Sequence, residues 1–311
     1  MLKNVVECNK YKDRNCTQSK KNEEYQYLNL IQDILSDGTM EYSRNGNTKV
    51  VIGSVMHFSL ENGKIPILTT KRTAWKTCLK ELLFFIRGST DNKILTDQKV
   101  HIWDKNTDKE FLKMRGLSHY TPGRTMGPLY GFQHRYWNAE YTGCTSDYTG
   151  QGIDQLADAI RILKDPLLRS SRRIVISAWN PEQIDKGVLP PCHILFIFSV
   201  TNGDKLSCTL TQRSVDTMLG CPFNIASYSF LTHLIAKHCD LEPYEFIHNG
   251  VNVHIYEPHI VAAEEQITRI PFEFPTLTIL NKRDNINDYV IDDFEIENYQ
   301  CHAPIKMDMV A

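Results

Sequence analysis

Apolar residues recur at helical spacing in several segments of the chain from about residue 25 onward. Over residues 25–35 they fall three or four positions apart, and the helix-stop pair Asp37-Gly38 follows, so this segment is predicted to be the first helix. Over residues 75–86 they form a single stripe with Gly88 just beyond it, which predicts a core helix. Further helices are predicted over residues 153–164 and 227–239.

Strand patterns interleave with these helices and are marked by β-branched residues and partly alternating polarity. They cover residues 50–60, 173–179, 194–200, 205–213 and 251–256. No linker, repeat or low-complexity tract divides the chain, so the sequence predicts one domain of mixed α and β structure over residues 24–311. Residues 1–23 are rich in Lys, Asn, Gln and Ser, and they are predicted to form a flexible polar arm outside the core.

One tight turn relates two reactive side chains. The Asn202-Gly203 pair is typical of a two-residue hairpin turn, which would place Cys192 directly opposite Arg213 unless a bulge shifts the register. Because a neighbouring guanidinium stabilises a thiolate, Cys192 is a candidate nucleophile whose pKa Arg213 is expected to lower. His193 projects from the opposite face, which disfavours a Cys-His protease. From the hairpin alone, a buried cysteine beside an ordinary arginine remains an alternative.

Charge balance and cysteine spacing exclude several classes of function. With 35 basic and 37 acidic side chains the net charge is −2, so nucleic acid is not expected as the main ligand. The apolar runs are far shorter than the roughly 18 residues of a membrane span. The N-terminus lacks a secretory pattern, and a cytoplasmic location is expected. The nine cysteines are scattered without any CxxC pair, which argues against a disulfide framework and against a CxxC metal site, while spacing alone leaves open a ligand set assembled from distant residues.

Several long blocks resemble the thymidylate synthase family, in order and without large gaps, from about residue 25 to the end. They are KELLFFIRGST (80–90), GPLYGFQHRYWNAEY (127–141), SDYTGQGIDQL (146–156), SSRRIVISAWNP (170–181), LPPCH (189–193), LSCTLTQRSVDTMLGCPFNIASY (206–228), HIY (254–256) and PIKMDMVA (304–311).

The resemblance implies a single α+β domain in which a large mixed β-sheet, flanked by helices, packs against the sheet of a second subunit in a homodimer. It implies reductive methylation of deoxyuridine monophosphate (dUMP) to thymidine monophosphate (dTMP), with 5,10-methylenetetrahydrofolate donating both the carbon and the hydride. The cysteine would add to carbon 6 of the uracil, which makes carbon 5 an enolate carbon able to capture the folate-derived iminium. No metal is implied.

The resemblance also implies roles for individual residues. The implied catalytic residues are Cys192, Glu81, Tyr130, Arg213, Asn224 and Asp216. The implied dUMP contacts are Arg44, Arg172, Arg173, Gln212, Arg213, Ser214, Asp216, Asn224, His254 and Tyr256, with Arg172 and Arg173 supplied by the partner subunit. The implied folate contacts are Lys71, Ile102, Trp103, Asn106, Asp216, Leu219, Gly220, Phe223, Met309 and Ala311, the last two in a tail that would close over the ligands.

Some of these residues have simpler interpretations when each is considered alone. Glu81 would be a solvated helix side chain, and Asn224 would cap a helix starting near Ala226. Trp103 and Phe223 would belong to the core. For Asn224, the family role would be base selection, because a neutral amide can both donate to and accept from uracil.

The chain departs from the family pattern at several positions, which affect packing at the sheet interface and hydrogen-bond support of the nucleotide site. His134 stands where tryptophan is usual, Ile197 and Ser199 replace Gln and Tyr, Val251 and Asn252 replace Gly and Asp, and Glu257-Pro258 replaces Leu-Asn.

Two other functions stay open. One is a pyrimidine nucleotide hydroxymethyltransferase of the same fold, in which water attacks the exocyclic methylene. Trp103 disfavours it, since that ring helps to shield the intermediate from water in the synthases. The other is a catalytically weak relative that binds RNA or protein, and intact Cys192, Arg213 and Glu81 argue against this as the main role.

Overall fold

The computed structural model describes residues 22–43 and 46–310. In these residues the α-helices are α1 (Tyr25–Asp37), α2 (Trp75–Ile86), α3 (Asn92–Asp97), α4 (Asp104–Thr107), α5 (Lys109–Met114), α6 (Gly131–Arg135), α7 (Gln155–Lys164), α8 (Gly220–His238) and α9 (Ile260–Ile267). The strands are β1 (Thr39–Ser43), β2 (Gly46–Ser59), β3 (Val175–Ser177), β4 (His193–Thr201), β5 (Lys205–Asp216), β6 (Glu242–Tyr256), β7 (Thr276–Ile279) and β8 (Phe294–Glu297).

Six strands form one mixed sheet in the order β1-β2-β6-β5-β4-β3, and β7 pairs with β8 separately. All neighbours in the large sheet are antiparallel except β5 and β6, which are parallel and are connected through α8. Most residues of α8 are buried, and this helix packs on β5 and β6. The α+β fold class predicted from the sequence is confirmed. None of the helices in the described part of the chain is long and apolar enough to span a membrane.

The predicted elements recur with some changes of length. α1 ends at Asp37 and α2 has the predicted bounds. α8 begins at Gly220 rather than near residue 227, because Pro222 falls in its first turn, where a missing N–H breaks no helical hydrogen bond. Residues 1–21 lie outside the described residues, so the flexible arm stays a prediction. Glu23 already contacts the folded body through an ion pair with Lys64.

The hairpin of β4 and β5 differs from its predicted register. Thr201 pairs with Lys205, so three residues rather than two form the turn and most pairs are shifted by one residue. A bulge at the start of β4 shifts the pairing back, and the Arg213 N–H donates to the Cys192 carbonyl at 3.0 Å. The two deviations cancel, so Cys192 does face Arg213.

A change in the alternation of buried residues creates space for a site at one end of the sheet. Along β5 every second residue is buried as far as Gln212, but the next buried residue, Val215, comes after a step of three positions. Along β6 a step of three positions likewise separates the buried residues Gly250 and Val253. Arg213 lies within the step along β5. Because β5 and β6 are parallel, their carboxyl ends meet at one edge of the sheet, and the polar residues beyond the step converge there.

A buried carboxylate fixes the first helix to the rest of the domain. Glu24, fully buried before α1, accepts four hydrogen bonds of 2.6–2.8 Å from the backbone N–H groups and hydroxyls of Thr69 and Thr70. Thr69 and Thr70 lie in a turn whose carbonyls also accept hydrogen bonds. Arg269, just after α9, donates to the Thr70 carbonyl, and the His302 N–H donates to the Thr69 carbonyl. One turn therefore joins the first helix, the α9 region and the C-terminal segment.

Replacing Glu24 with Gln should cost about 2–3 kcal/mol of unfolding free energy, because an amide group would face buried donors that now share a carboxylate. Equilibrium unfolding in urea at fixed protein concentration measures this. The exposed Glu242, which pairs with Lys205, provides the matched control. Glu242→Gln should cost less than about 1 kcal/mol. Equal losses for the two variants would contradict the structural role of Glu24.

Candidate active site

Cys192 is held just before β4 by contacts on both sides. The Arg213 guanidinium lies beside the thiol, with 3.8 Å between Nη2 and Sγ. Its Nε and Nη2 groups also donate to the carbonyls of Pro191 at 3.0 Å and Pro190 at 2.9 Å. The Cys192 backbone N–H donates to the Tyr130 hydroxyl at 2.9 Å. The sequence expectation of a thiol beside a guanidinium is therefore met.

The thiol itself is not acidic in this state. Burial raises the pKa of Cys192 above its usual value, and Arg213 opposes that rise only in part. Arg213 lowers the pKa of Cys192 as expected, but the pKa stays above its usual value because removing a thiolate from water costs more than one half-buried guanidinium returns.

Glu81 projects from α2 towards the same region and is not the solvated helix residue of the simpler interpretation. The Trp103 indole N–H donates to its Oε1 atom at 2.7 Å. Burial raises the pKa of Glu81 to about 7, while the hydrogen bond from Trp103 acts to lower it. A carboxyl group with this pKa exchanges a proton readily near neutral pH, which suits a general acid or base.

Tyr130 sits in a strained turn directly before α6. Its φ is 34°, in the left-handed region that non-glycine residues rarely adopt. The next residue, Gly131, packs so closely on α2 that a Cβ atom there would lie 2.4 Å from the Phe85 carbonyl oxygen. This contact directs the Tyr130 ring between Trp103 and His193, at centroid distances of 6.2 and 5.2 Å.

A cavity of about 590 Å³ opens beside Arg213 at the edge where β5 and β6 end. Its lining includes Ser214, His254 and Tyr256, and the rings of His254 and Tyr256 are perpendicular with centroids 5.2 Å apart. Residues of β1 and β2 complete its wall. Three of the dUMP contacts implied by the resemblance, Ser214, His254 and Tyr256, thus share this cavity with Arg213.

Two other arginines among the implied dUMP contacts lie elsewhere, and one lies outside the described residues. Arg172 and Arg173 are exposed just before the edge strand β3 and do not line the cavity of their own chain. Arg44 falls between the described ranges 22–43 and 46–310. Within the described residues of one chain, Arg213 is the arginine at the cavity.

A chain of amide and imidazole groups orients Asn224. Gln212 donates from Nε2 to the Asn224 Oδ1 atom at 2.9 Å, and its Oε1 atom lies 2.9 Å from Nε2 of the buried His248. Because Gln212 Oε1 can only accept, His248 must carry its proton on Nε2. Burial lowers the pKa of His248 to about 3, so the ring stays neutral. Asn224 lies inside α8 and is not its cap.

Comparison with known proteins identifies the family. The family model described as thymidylate synthase matches residues 25–311. The chain belongs to the thymidylate synthase family. It is 47% identical over 288 residues to a thymidylate synthase of equine herpesvirus 2, a match that covers 92% of this chain and 98% of that protein. It is 45% identical to thymidylate synthase 1/2 of Encephalitozoon cuniculi, with 94% and 99% covered. The family expected from the motifs is confirmed.

Longer relatives also match. The chain is 47% identical over 291 residues to a bifunctional dihydrofolate reductase-thymidylate synthase of Zea mays, a match that covers 93% of this chain and 55% of that protein. The chain thus spans about half the length of such relatives. Across residues 22–43 and 46–310, no three His, Cys, Asp or Glu side chains are grouped so that they could hold a metal ion.

Several residues expected to contact folate in this family lie around the start of α8. The Asp216 Oδ1 atom accepts the N–H groups of Met218 and Leu219 at 3.0 and 3.1 Å, which closes the turn that leads into Gly220. Lys71 is buried and donates to the Met218 carbonyl, and burial lowers its pKa to about 8.

The other expected folate contacts lie around α4, within α8 and in the C-terminal segment. Trp103 is buried against Glu81, while Ile102, Asn106 and Phe223 are half-buried. Met309 is exposed in the C-terminal segment, and Ala311 lies outside the described residues. The tail is tied near its end by His259, whose Nε2 atom lies 2.8 Å from the Asp308 carbonyl. A Cβ added at Gly46 would lie 3.4 Å from Val310 and 3.7 Å from Tyr256, so Val310 lies beside the cavity.

The departures from the family pattern are accommodated in different ways. His134 is buried with its ring perpendicular to Phe196, and its Nε2 atom faces no partner among the described residues. It lines a small cavity of about 40 Å³ together with Glu81 and His193. Glu257 accepts a hydrogen bond from the Asn47 amide at 2.8 Å.

Two residues next to the site had no functional assignment from the sequence. His248 orients Gln212, and Asn252 lies 3.0 Å from His254 through its Oδ1 atom. The alternating pattern of β6 could have placed Asn252 on the same face as His254.

Trp103→Phe should raise the pKa of Glu81 above about 7, because the lost indole N–H stabilises the carboxylate. Infrared titration of the protonated carboxyl band measures this, and Glu81→Gln identifies the band. Trp75→Phe, on the helix α2 that carries Glu81, should leave the pKa of Glu81 unchanged. A pKa that falls, or that stays the same, in Trp103→Phe would contradict the assigned hydrogen bond.

Proposed function

We propose that the chain converts dUMP to dTMP with 5,10-methylenetetrahydrofolate, through covalent addition of Cys192 to carbon 6 of the uracil. The observation that carries the proposal is the pair formed by the Cys192 thiol and the Arg213 guanidinium, 3.8 Å apart, in a chain of this family. The cosubstrate supplies the one-carbon unit and the hydride. Chain residues bind and orient the nucleotide, hold its reactive carbon against the thiol and move protons.

Arg213 has donors left for an anionic group. Its Nε and Nη2 atoms are used by the Pro190 and Pro191 carbonyls and the thiol, while Nη1 makes no hydrogen bond to the described residues. The Ser214 side chain lines the same cavity. A phosphate there would receive charge-assisted hydrogen bonds from a guanidinium whose orientation is already fixed. His254 and Tyr256 on the opposite wall would meet the deoxyribose.

Asn224 is the residue for base selection. Because its oxygen accepts from Gln212, its amide N–H₂ group can act as the donor to the uracil carbonyl at position 4. The second lone pair of the oxygen can accept the N–H at position 3. Cytosine presents a donor and an acceptor in the reverse order, so this orientation favours uracil.

Glu81 supplies proton transfer on the far side of the base. A buried carboxyl group with a pKa of about 7 holds a proton in part of the molecules at neutral pH and can both give and take one. Tyr130, joined to the Cys192 backbone, stands between the thiol and Trp103 and would take part in removing the proton from carbon 5.

Cys192→Ala should abolish dTMP formation and leave dUMP binding within a few-fold, because the phosphate and ribose contacts come from other side chains. Turnover is followed by the absorbance of dihydrofolate, which a hydroxymethyltransferase would not produce. Cys144→Ala, at a half-buried cysteine outside the site, should retain turnover.

A second measurement in the unchanged chain tests the same step. Fluorodeoxyuridine monophosphate with the folate should label Cys192, because fluorine cannot leave carbon 5 as a proton does. A digest with the label on another residue, or Cys192→Ala turnover within tenfold of the parent, would reject the covalent mechanism.

We infer further that the large sheet packs against a second copy of the chain. Two rows of paired residues cross its outward face, and no helix among the described residues covers them. One row contains Val55 and Leu195, and the other contains Val175 and Ile197. Val55 and Val175 are 57% and 44% exposed. An open apolar face on a six-stranded sheet suits an isologous dimer. Arg172 and Arg173 precede β3 at the edge of this face and would reach the partner's cavity.

Subunit exchange tests the contribution of these arginines. Cys192→Ala chains mixed with Arg172→Ala/Arg173→Ala chains should regain activity, up to about a quarter of the parent value, because hybrid dimers contain one complete site. Arg161→Ala, which removes an exposed arginine paired with Asp158, should be active without mixing. Demonstrated hybrids that stay inactive would mean that the two arginines serve their own subunit or only the fold.

A further inference from the structure

Asn252 and His254 form a polar pair on the wall of the large cavity. They lie two residues apart on β6, so both side chains face the same side, and both line the cavity together with Arg213, Ser214 and Tyr256. The Oδ1 atom of Asn252 is 3.0 Å from the Nδ1 atom of His254. His254 is only 7% exposed, so most of its ring is shielded from water.

The contact determines which ring nitrogen carries the proton. An amide oxygen can only accept, so His254 Nδ1 must be the donor. Burial lowers the pKa of His254, and the neighbouring Asp216 opposes this only in part. A neutral ring with its proton on Nδ1 has a lone pair on Nε2. Nε2 is then an acceptor and cannot donate.

We propose that Asn252 is a positioning residue that fixes His254 in the Nδ1–H tautomer, so that Nε2 accepts the proton of the 3′-hydroxyl group of the deoxyribose. The inference rests on the proposed function for the identity of the sugar. Asn252 acts only through His254. An aspartate at this position would also accept from Nδ1, but its charge would favour a doubly protonated ring that has no acceptor. The asparagine therefore selects for a hydroxyl that donates.

Nitrogen-15 NMR of the histidine rings in the unchanged protein tests the tautomer directly. The His254 signals, identified by their absence in His254→Gln, should have the pattern of a protonated Nδ1 and an unprotonated Nε2. In Asn252→Leu, which has a similar shape and no side-chain acceptor, that pattern should be lost or averaged. A protonated Nε2 in the unchanged protein would overturn the proposal. This readout does not require turnover, so it stays separate from a failure to form dTMP.

Nucleotide binding tests the consequence. The unchanged protein should bind dUMP about tenfold more tightly than 2′,3′-dideoxyuridine monophosphate, the value of one lost hydrogen bond. Asn252→Leu should reduce this ratio at least threefold, and Asn252→Asp, whose charge would favour a doubly protonated ring without an acceptor, should also reduce it. In a His254→Gln background, Asn252→Leu should have no further effect. An unchanged ratio in folded Asn252→Leu, or an equal effect in the His254→Gln background, would overturn the proposal.

Discussion

The Arg213 guanidinium ties together the two strands on which the site is built. Its donors hold the Pro190 and Pro191 carbonyls while its backbone N–H pairs with the Cys192 carbonyl. The segment before β4 therefore cannot shift along β5 without breaking charge-assisted hydrogen bonds. The thiol on one side and the large cavity on the other are both positioned by this residue, which serves as a clamp within the fold as well as a positive charge in the site.

Burial disfavours the charged forms of several groups around this clamp. The pKa values of His193 and His248 fall to about 4 and 3, and that of Glu81 rises to about 7. Neutral rings and amides have fixed donor and acceptor roles, so the Gln212 network and the His254 pair can each adopt one arrangement of protons. An anionic nucleotide would then meet a guanidinium with unused donors and a set of neutral groups with defined directions.

Sequence patterns predict the elements of this fold better than their relation to one another. The stripe over α2 gives its bounds because one face of that helix is apolar, whereas α8 is buried on nearly all sides and its first turns carry no periodic signal. The Asn202-Gly203 pair indicates a turn but does not distinguish two turn residues from three, since both forms use positive φ at these positions. Motif resemblance identifies Cys192 and Glu81. It does not identify His248, whose role arises only because β6 lies beside β5 and brings it to Gln212.

The turn at Thr69 and Thr70 links regions that are far apart in the sequence. Glu24 before α1, Arg269 and the His302 backbone all bind this turn, and Arg269 also holds the Ala303 carbonyl. Releasing the segment that leads to the tail would break hydrogen bonds to the carbonyls of the same two residues whose N–H and hydroxyl groups anchor α1. The opening free energies of the first helix and of the C-terminal segment are therefore coupled, and local unfolding at one end of the domain lowers the cost of unfolding at the other.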